Sequence, residues 1–444
     1  MPARDDCGCA APQRVSQGVS RSGSQGVSRR SVLRGMAAAA GLGVAHAAAG
    51  EGSGVRYAYA ASGYAGDVLV VLSLRGGFDG LSAVVPAADP DYLRLRPTVG
   101  IPVSRLLPLN ATFGLHPALA PLMPFWRNGT LAAVHAVGQS DPTRSHFEAM
   151  AELERAAPGT GLRTGWLDRT IGLTASGSGS GVNPFQATQI GWGGVTGALV
   201  GPNPELVMSS VDGFELSGAW DDAERARWAT ALTSLHQGAP ATVANPAASA
   251  LAALSTTATL KTAGYTPENG ASYPDDDLAK GLRDVARLVK ARVGVQVACL
   301  ELGDWDMHQD MGTPDAGRLT DNLTKLAGGL AAFATDLGPT RMNRVTVVTL
   351  SEFGRRVEEN GTGGTDHGHG NAVLLLGGGV VGGTVHGRWP GLSDAQLVDG
   401  DLAGTTDYRL ILGEILTKRC GVASTSSIFP GLTGTPLGVV RPLA

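Results

Sequence analysis

The stretch Asp67-Val-Leu-Val-Val-Leu-Ser-Leu74-Arg-Gly-Gly-Phe-Asp79-Gly-Leu-Ser82 frames the reading of the whole chain. Its first half is nearly continuous in apolar, β-branched side chains, the pattern of a strand covered on both faces. It then runs into two glycines and a carboxylate, so a strand tip delivers polar chemistry at a tight turn. Similar runs recur at 131–137, 293–301, 344–350 and 372–376. Helical spacing occupies 117–127, 145–156, 222–236, 278–292, 316–337 and 405–418. Strands alternating with helices predict an α/β fold around a mostly parallel sheet. The segment 174–275 differs, with Ser/Gly repeats at 176–180, an Ala-rich stretch at 239–262 and a polar loop at 264–277. It reads as an insertion over the site or at the sheet edge.

Composition removes several classes. Of 444 residues, 43% are hydrophobic and 17% charged, which excludes charge-driven disorder. The 64 glycines have no three-residue period, which excludes a collagen-like chain. A net charge of −4 without a basic, aromatic-interleaved stretch argues against a nucleic-acid partner. Beyond the N-terminal region, no apolar run reaches the roughly 18 residues of a membrane span.

Residues 1–60 read as an export leader and linker. Ser28-Arg29-Arg30-Ser31-Val32-Leu33 precedes a weakly apolar Ala/Gly stretch, and Ala45-His46-Ala47 and Ala58-Tyr59-Ala60 are both A-x-A cleavage candidates. The pattern predicts the twin-arginine translocation machinery as a partner and a periplasmic, cell-surface or extracellular destination. Seven arginines against three acids give this segment +4, so subtracting it from the whole-chain −4 leaves −8 for residues 61–444. Removing it also removes Cys7 and Cys9; the remaining Cys299 and Cys420 are no disulfide scaffold.

In open α/β sheets ligands bind beyond the carboxyl ends of the strands. The first strand offers Asp79 there, which alone reads as an Asx-type turn. The second runs into Ser140-Asp-Pro-Thr143-Arg144-Ser145-His146. Alone, Ser145 or Thr143 is most simply a helix N-cap, although a hydroxyl at a helix N-terminus also suits attack on an anionic ester, with Arg144 binding an oxygen. The third run ends in Gly303-Asp304-Trp305-Asp306-Met307-His308, whose Asp/His spacing can supply two ligands to one divalent ion or form a plain polar loop. The fourth leads to Ser351-Glu352-Phe353-Gly354-Arg355 and then Gly364-Thr-Asp366-His367-Gly368-His369. An Asp-His pair between glycines has little packing value, so chemistry is the better reading. The fifth run ends only in glycines. His386 alone is more simply structural, and His116, His135 and His236 are set aside as core or surface residues.

The ordered set of acid, hydroxyl, Asp/His and Asp-His resembles the layout of the alkaline phosphatase and sulfatase superfamily. Leu74-Arg-Gly-Gly-Phe-Asp79-Gly-Leu81, Arg144-Ser-His-Phe-Glu-Ala149, Trp305-Asp-Met-His308, Ser351-Glu-Phe-Gly-Arg355 and Gly364-Thr-Asp-His-Gly368 resemble, more closely, a bacterial family within it. That family comprises twin-arginine-exported proteins of unknown function, and the resemblance covers roughly residues 66 to 440. It implies an alkaline-phosphatase-like three-layer αβα sandwich with a mostly parallel central sheet, in one domain of residues 61–444 carrying the insertion about 174–275.

The resemblance also implies roles. Ser145 is the nucleophile, assisted by Arg144; Asp79, Asp306, His308, Asp366, His367 and His386 are metal ligands. Asp304 ranks second because it falls where the family has Gly, and His369 is the alternative to His386. Ser140, Thr143, Glu352 and Arg355 are secondary candidates. Ser140 matters because Ser140-x-Pro-x-Arg144 fits the start of the formylglycine pattern of sulfatases, without its downstream Leu-x-Thr-Gly. Two divalent ions are implied, Zn²⁺ or Mn²⁺ favoured over Mg²⁺ or Ca²⁺ for mixed Asp/His ligands. The function expected is an exported metal-dependent hydrolase of phosphate or sulfate esters, on a small-molecule or polymer substrate. The alternative is a non-catalytic exported metal-binding or assembly module.

Overall fold

The computed structural model describes residues 64–140, 143–174, 183–191 and 193–443. The leader, its arginine pair and cleavage candidates, Cys7, Cys9, Asp141 and Pro142 lie outside these residues.

The opening stretch forms β1 (Val68–Leu74), buried along nearly its whole length. The other main strands are β2 (Leu131–Gly138), β3 (Ala187–Ile190), β4 (Leu206–Met208), β5 (Val297–Leu302), β6 (Val345–Leu350) and β7 (Asn371–Gly377), with short edge strands β8 (Val385–His386) and β9 (Thr406–Asp407). They make one sheet in the order β8-β2-β7-β6-β1-β5-β3-β4, with β9 also on β2. β1 is central, pairing in parallel with β5 and β6, which explains its two apolar faces.

Those faces enter separate cores. Val70, Leu72 and Leu74 meet Leu278, Leu282 and Val285 of one helix (α5, Asp277–Ala291) and Leu323, Leu326, Leu330 and Phe333 of a longer one (α6, Arg318–Met342). Leu69 and Val71 face Met150 and Leu153 of α1 (His146–Arg155), Trp166 and Ile171 of α2 (Trp166–Thr174), and Ile411 and Ile415 of α7 (Tyr408–Arg419). Period-2 side chains thus put helices on both sides of a mostly parallel sheet. The expected helix at 117–127 is instead a 3₁₀ turn, Pro117–Leu122, followed by Met123–Arg127, because Pro121 has no N–H to continue an α-helical ladder.

Two expectations need correcting. The segment 174–275 is not wholly an insertion: β3 and β4 lie within it and extend the sheet in parallel from β5. Only α3 (Asp222–His236) and α4 (Ala241–Ala263) are an added pair; α3 buries no residue, while α4 buries Ala253 and Leu260 in the core. Second, β7 is antiparallel to both β6 and β2. Its start, not its glycine-rich end, therefore reaches the carboxyl ends of its neighbours. The loop 351–370 leaves β6 and enters β7 at that same end, carrying Asp366 and His367 with it. No helix among the described residues is long and apolar enough to cross a membrane.

Candidate metal centre at the strand ends

Beyond β1, Gly76 and Gly77 adopt φ of +116° and +74°. A Cβ on Gly76 would lie 2.6 Å from the Asp306 backbone N, and one on Gly77 2.8 Å from the Phe353 ring. The glycines therefore let the loops after β5 and β6 close onto the tip of β1. Arg355 locks that closure. Its buried guanidinium donates to the carbonyls of Gly77 (2.8 Å), Gly76 (2.5 Å), Trp305 (2.9 Å) and Thr365 (3.0 Å), and to Asp306 Oδ1 (2.6 Å).

Asp306 is the centre of the cluster so built. Its carboxylate, 46% exposed, has His367 Nε2 at 3.1 Å and His308 Nε2 at 3.0 Å from Oδ1, and His146 Nε2 at 3.5 Å from Oδ2. His308 Nε2 and His367 Nε2 are 2.9 Å apart, and His308 Nδ1 lies 2.9 Å from Asp366 Oδ1. His146, Asp306 and His367 each offer one ligand atom, all within 4.8 Å of one another. His367 Nδ1–H donates to the Arg144 carbonyl at 2.8 Å, leaving the Nε2 lone pair facing the cluster. Phe353 packs against the rings of both His146 and His367, each 4.8 Å away.

The electrostatics match this crowding. Burial raises the Asp306 carboxyl, but His146, His367 and Arg355 outweigh it and hold the group well below the usual carboxylate range. The Asp306 carboxylate, then that of Glu352, raises the His146 imidazolium to about 9. Asp366 is held low in the same way, its burial outweighed by His308 and Asn360.

Of the ligands expected from sequence, Asp306, His308, Asp366 and His367 come together. Asp79 does not join them. It is 3% exposed, caps the short helix Gly80–Ala83 through Ser82 N, and forms a 2.6 Å ion pair with the fully buried Arg96. Its oxygens are thereby engaged, and the ligand assignment for Asp79 is corrected to a structural one. His386 is also corrected: it lies in an edge strand, with Nε2 2.8 Å from the Val381 carbonyl oxygen. His369 packs its Nε2 against Gly138 and Gly404 instead. Asp304 is exposed, with φ +65°, the conformation that a glycine would favour, and borders a cavity of about 710 Å³ that Gln189, Glu301 and Lys325 also line.

The hydroxyl loop is more committed to structure than the resemblance implies. Ser145 caps α1, its Oγ 3.5 Å from Glu148 N, and Thr143 Oγ1 donates to Glu148 Oε2 at 2.8 Å. The Arg144 guanidinium pairs with buried Asp401 at 2.5 Å, so that charge is already matched. Ser140 is exposed. Sequence reasoning missed His146, the first residue of α1, because attention fell on the hydroxyl before it. An imidazole beside that hydroxyl was the available signal. Glu352 and Arg355 prove to be supports for the cluster. His116 and His135 are buried core residues, and burial lowers each to about 4.

Residues 210–413 match the model of a family described as protein of unknown function (DUF1501). That span holds Asp306, His308, Glu352, Asp366 and His367 but not Ser145 or His146. No curated protein matches the chain. A solved structure described as "Crystal structure of Ps i-CgsB" is similar at 12% identity and a TM-score of 0.32, covering 83% of this chain and 75% of that one. That likeness is too low to carry an argument.

Proposed function

We propose that the protein is a metal-dependent hydrolase of phosphate or sulfate esters, built on an alkaline-phosphatase-like fold and exported by the twin-arginine route. The observation that carries this reading is the convergence of His146 Nε2, the Asp306 carboxylate and His367 Nε2 within 4.8 Å. Lone pairs brought this close repel unless a proton or a cation lies among them, and a divalent ion can take the place of the His146 proton. Two imidazoles and a carboxylate suit Zn²⁺ or Mn²⁺, and His308 with Asp366 provides adjacent donors for a second ion.

A bound divalent ion would supply Lewis-acid polarisation of an ester oxygen and neutralise developing negative charge. The chain's own groups do the rest. Ser145 Oγ supplies the attacking oxygen, since its 3.5 Å cap contact is weak enough to give up. The start of α1 offers free N–H groups to the ester oxygens. Arg144, anchored on Asp401, holds its carbonyl against His367 and so fixes the orientation of that ring. As the new bond to phosphorus or sulfur forms, the bond to the ester oxygen breaks and the Ser145 proton leaves with the departing alcohol.

A second reading, a binding module without turnover, draws support from the engagement of Ser145 as a cap and of Arg144 by Asp401. Metal content of the folded protein and turnover of aryl phosphate and aryl sulfate esters decide between them. Bound Zn²⁺ or Mn²⁺ with hydrolysis abolished in Ser145→Ala supports the enzyme. Bound metal without hydrolysis leaves the module, and no stoichiometric metal removes both.

A further inference from the structure

Glu352 follows β6 and is almost fully buried, beyond the reach of any substrate. Its Oε1 accepts from Gly76 N at 2.8 Å and lies 2.8 Å from His146 Nδ1, while Oε2 accepts from Ser351 Oγ at 3.0 Å. Ser351 Oγ accepts in turn from Phe78 N at 2.9 Å. The carboxylate is thus pinned from the loop after β1 and from its own loop, and among the described residues the imidazole is the one side chain it orients outside its own loop.

An ionised carboxylate only accepts hydrogen bonds, so the imidazole nitrogen facing it must carry the hydrogen. In the neutral ring the lone pair then belongs to Nε2. That atom is buried, makes no hydrogen bond, and points at Asp306 Oδ2 from 3.5 Å. A lone pair aimed at a carboxylate oxygen needs a positive charge between them, a place taken by a proton in the metal-free protein or by a metal cation that displaces it. His367 is held in the same tautomer by a different device, the neutral Arg144 carbonyl.

Resting on the metal-centre reading above, we propose that Glu352 is a positioning residue that fixes the tautomer and direction of His146. It thereby makes His146 Nε2 a ligand to the same cation as Asp306 and His367. Because the partner is a charge and not a carbonyl, it also makes His146 the more strongly donating of the two imidazoles.

The test is Zn²⁺ affinity of the full-length protein, by competition with a chromophoric chelator, for wild type, Glu352→Gln, His146→Ala and the double variant. Gln keeps an acceptor for Gly76 N–H but removes the charge that dictates the tautomer. Glu352→Gln is expected to weaken Zn²⁺ binding about 10- to 100-fold. In the His146→Ala background the same change should alter affinity by less than about twofold, because its effect runs through the missing ring. The absorption bands of the Co²⁺-substituted protein should shift in Glu352→Gln, reporting altered ligation apart from activity. An equal loss in both backgrounds would make Glu352 a general structural support and overturn the proposal. So would full affinity in Glu352→Gln, while leaving the metal centre intact. A wild-type protein that takes up no Zn²⁺ or Mn²⁺ removes the metal centre and this role together. If Glu352→Gln does not fold, Ser351→Ala frees Oε2 with the charge retained. It must then show a smaller loss that again vanishes without His146.

Discussion

Asp79 and Asp306 stand beyond the tips of two paired strands, β1 and β5, and meet opposite surroundings. Asp79 is sealed under the loop, with a guanidinium on one oxygen and a helix N-terminus on the other. Asp306 is half open and shares its oxygens among three imidazoles and one guanidinium. The first carboxylate is matched by a fixed positive charge, Arg96, which is itself held by the Val357 and Arg356 carbonyls and Ser82 Oγ. The second has, besides Arg355, three imidazoles whose protons can leave. Chemistry at a strand tip therefore depends less on having a carboxylate than on whether its counter-charge is exchangeable.

Breaking the closed side should have the largest effect. Arg96→Met strands Asp79 as an unpaired buried charge, with an expected loss of about 3–5 kcal/mol in unfolding free energy measured with urea. A loss below about 1 kcal/mol would show that Asp79 is not held as described. On the open side, Asp306→Asn should weaken Zn²⁺ binding on the order of 100-fold or more, beyond the effect of an outer partner. The metal-free fold should lose about 1.5–3 kcal/mol, because the buried Arg355 keeps its carbonyl acceptors but loses its charged one. Equal metal affinity in wild type and Asp306→Asn would erase the contrast. The smallest expected effect is on pH. His146 is raised from its ordinary 6.5 to about 9 by Asp306 and then Glu352. Its protonated form stabilises the metal-free protein fully below about pH 6.5, and that contribution is lost as pH rises through about 9. Metal uptake must expel this proton, so affinity should rise about tenfold per pH unit from 7 towards 9 and then level off. Titration calorimetry at several pH values measures it, and a flat profile would show that His146 stays outside the coordination sphere.

The same contrast explains what could be read from the sequence. Apolar runs at 131–137 and 344–350 became β2 and β6 with little change, because burial on both faces leaves an unmistakable pattern. β3 escaped notice because Thr188 and Gln189 are polar. Gln189 buries its amide by bonding Gly194 O and Thr196 N, a solution visible only in three dimensions. Strand direction leaves no trace in periodicity, so β7 pointed the wrong way. Within the site, the Asp-x-His and Asp-His spacings were legible since neighbouring ligands travel together. Asp79 was misjudged because its partner Arg96 lies seventeen residues on, in an unremarkable stretch. His146 was hidden by the serine beside it.

Arg355 has a consequence for the order of assembly. Its side chain bonds residues 278 and 279 positions away in β1's tip, 49 and 50 away in the loop after β5, and 10 away in its own loop. Contacts so distant along the chain form only after long segments have been closed against their entropy. Ion capture would then act as a certificate of completed folding, issued only once the amino-terminal strand has docked between its neighbours.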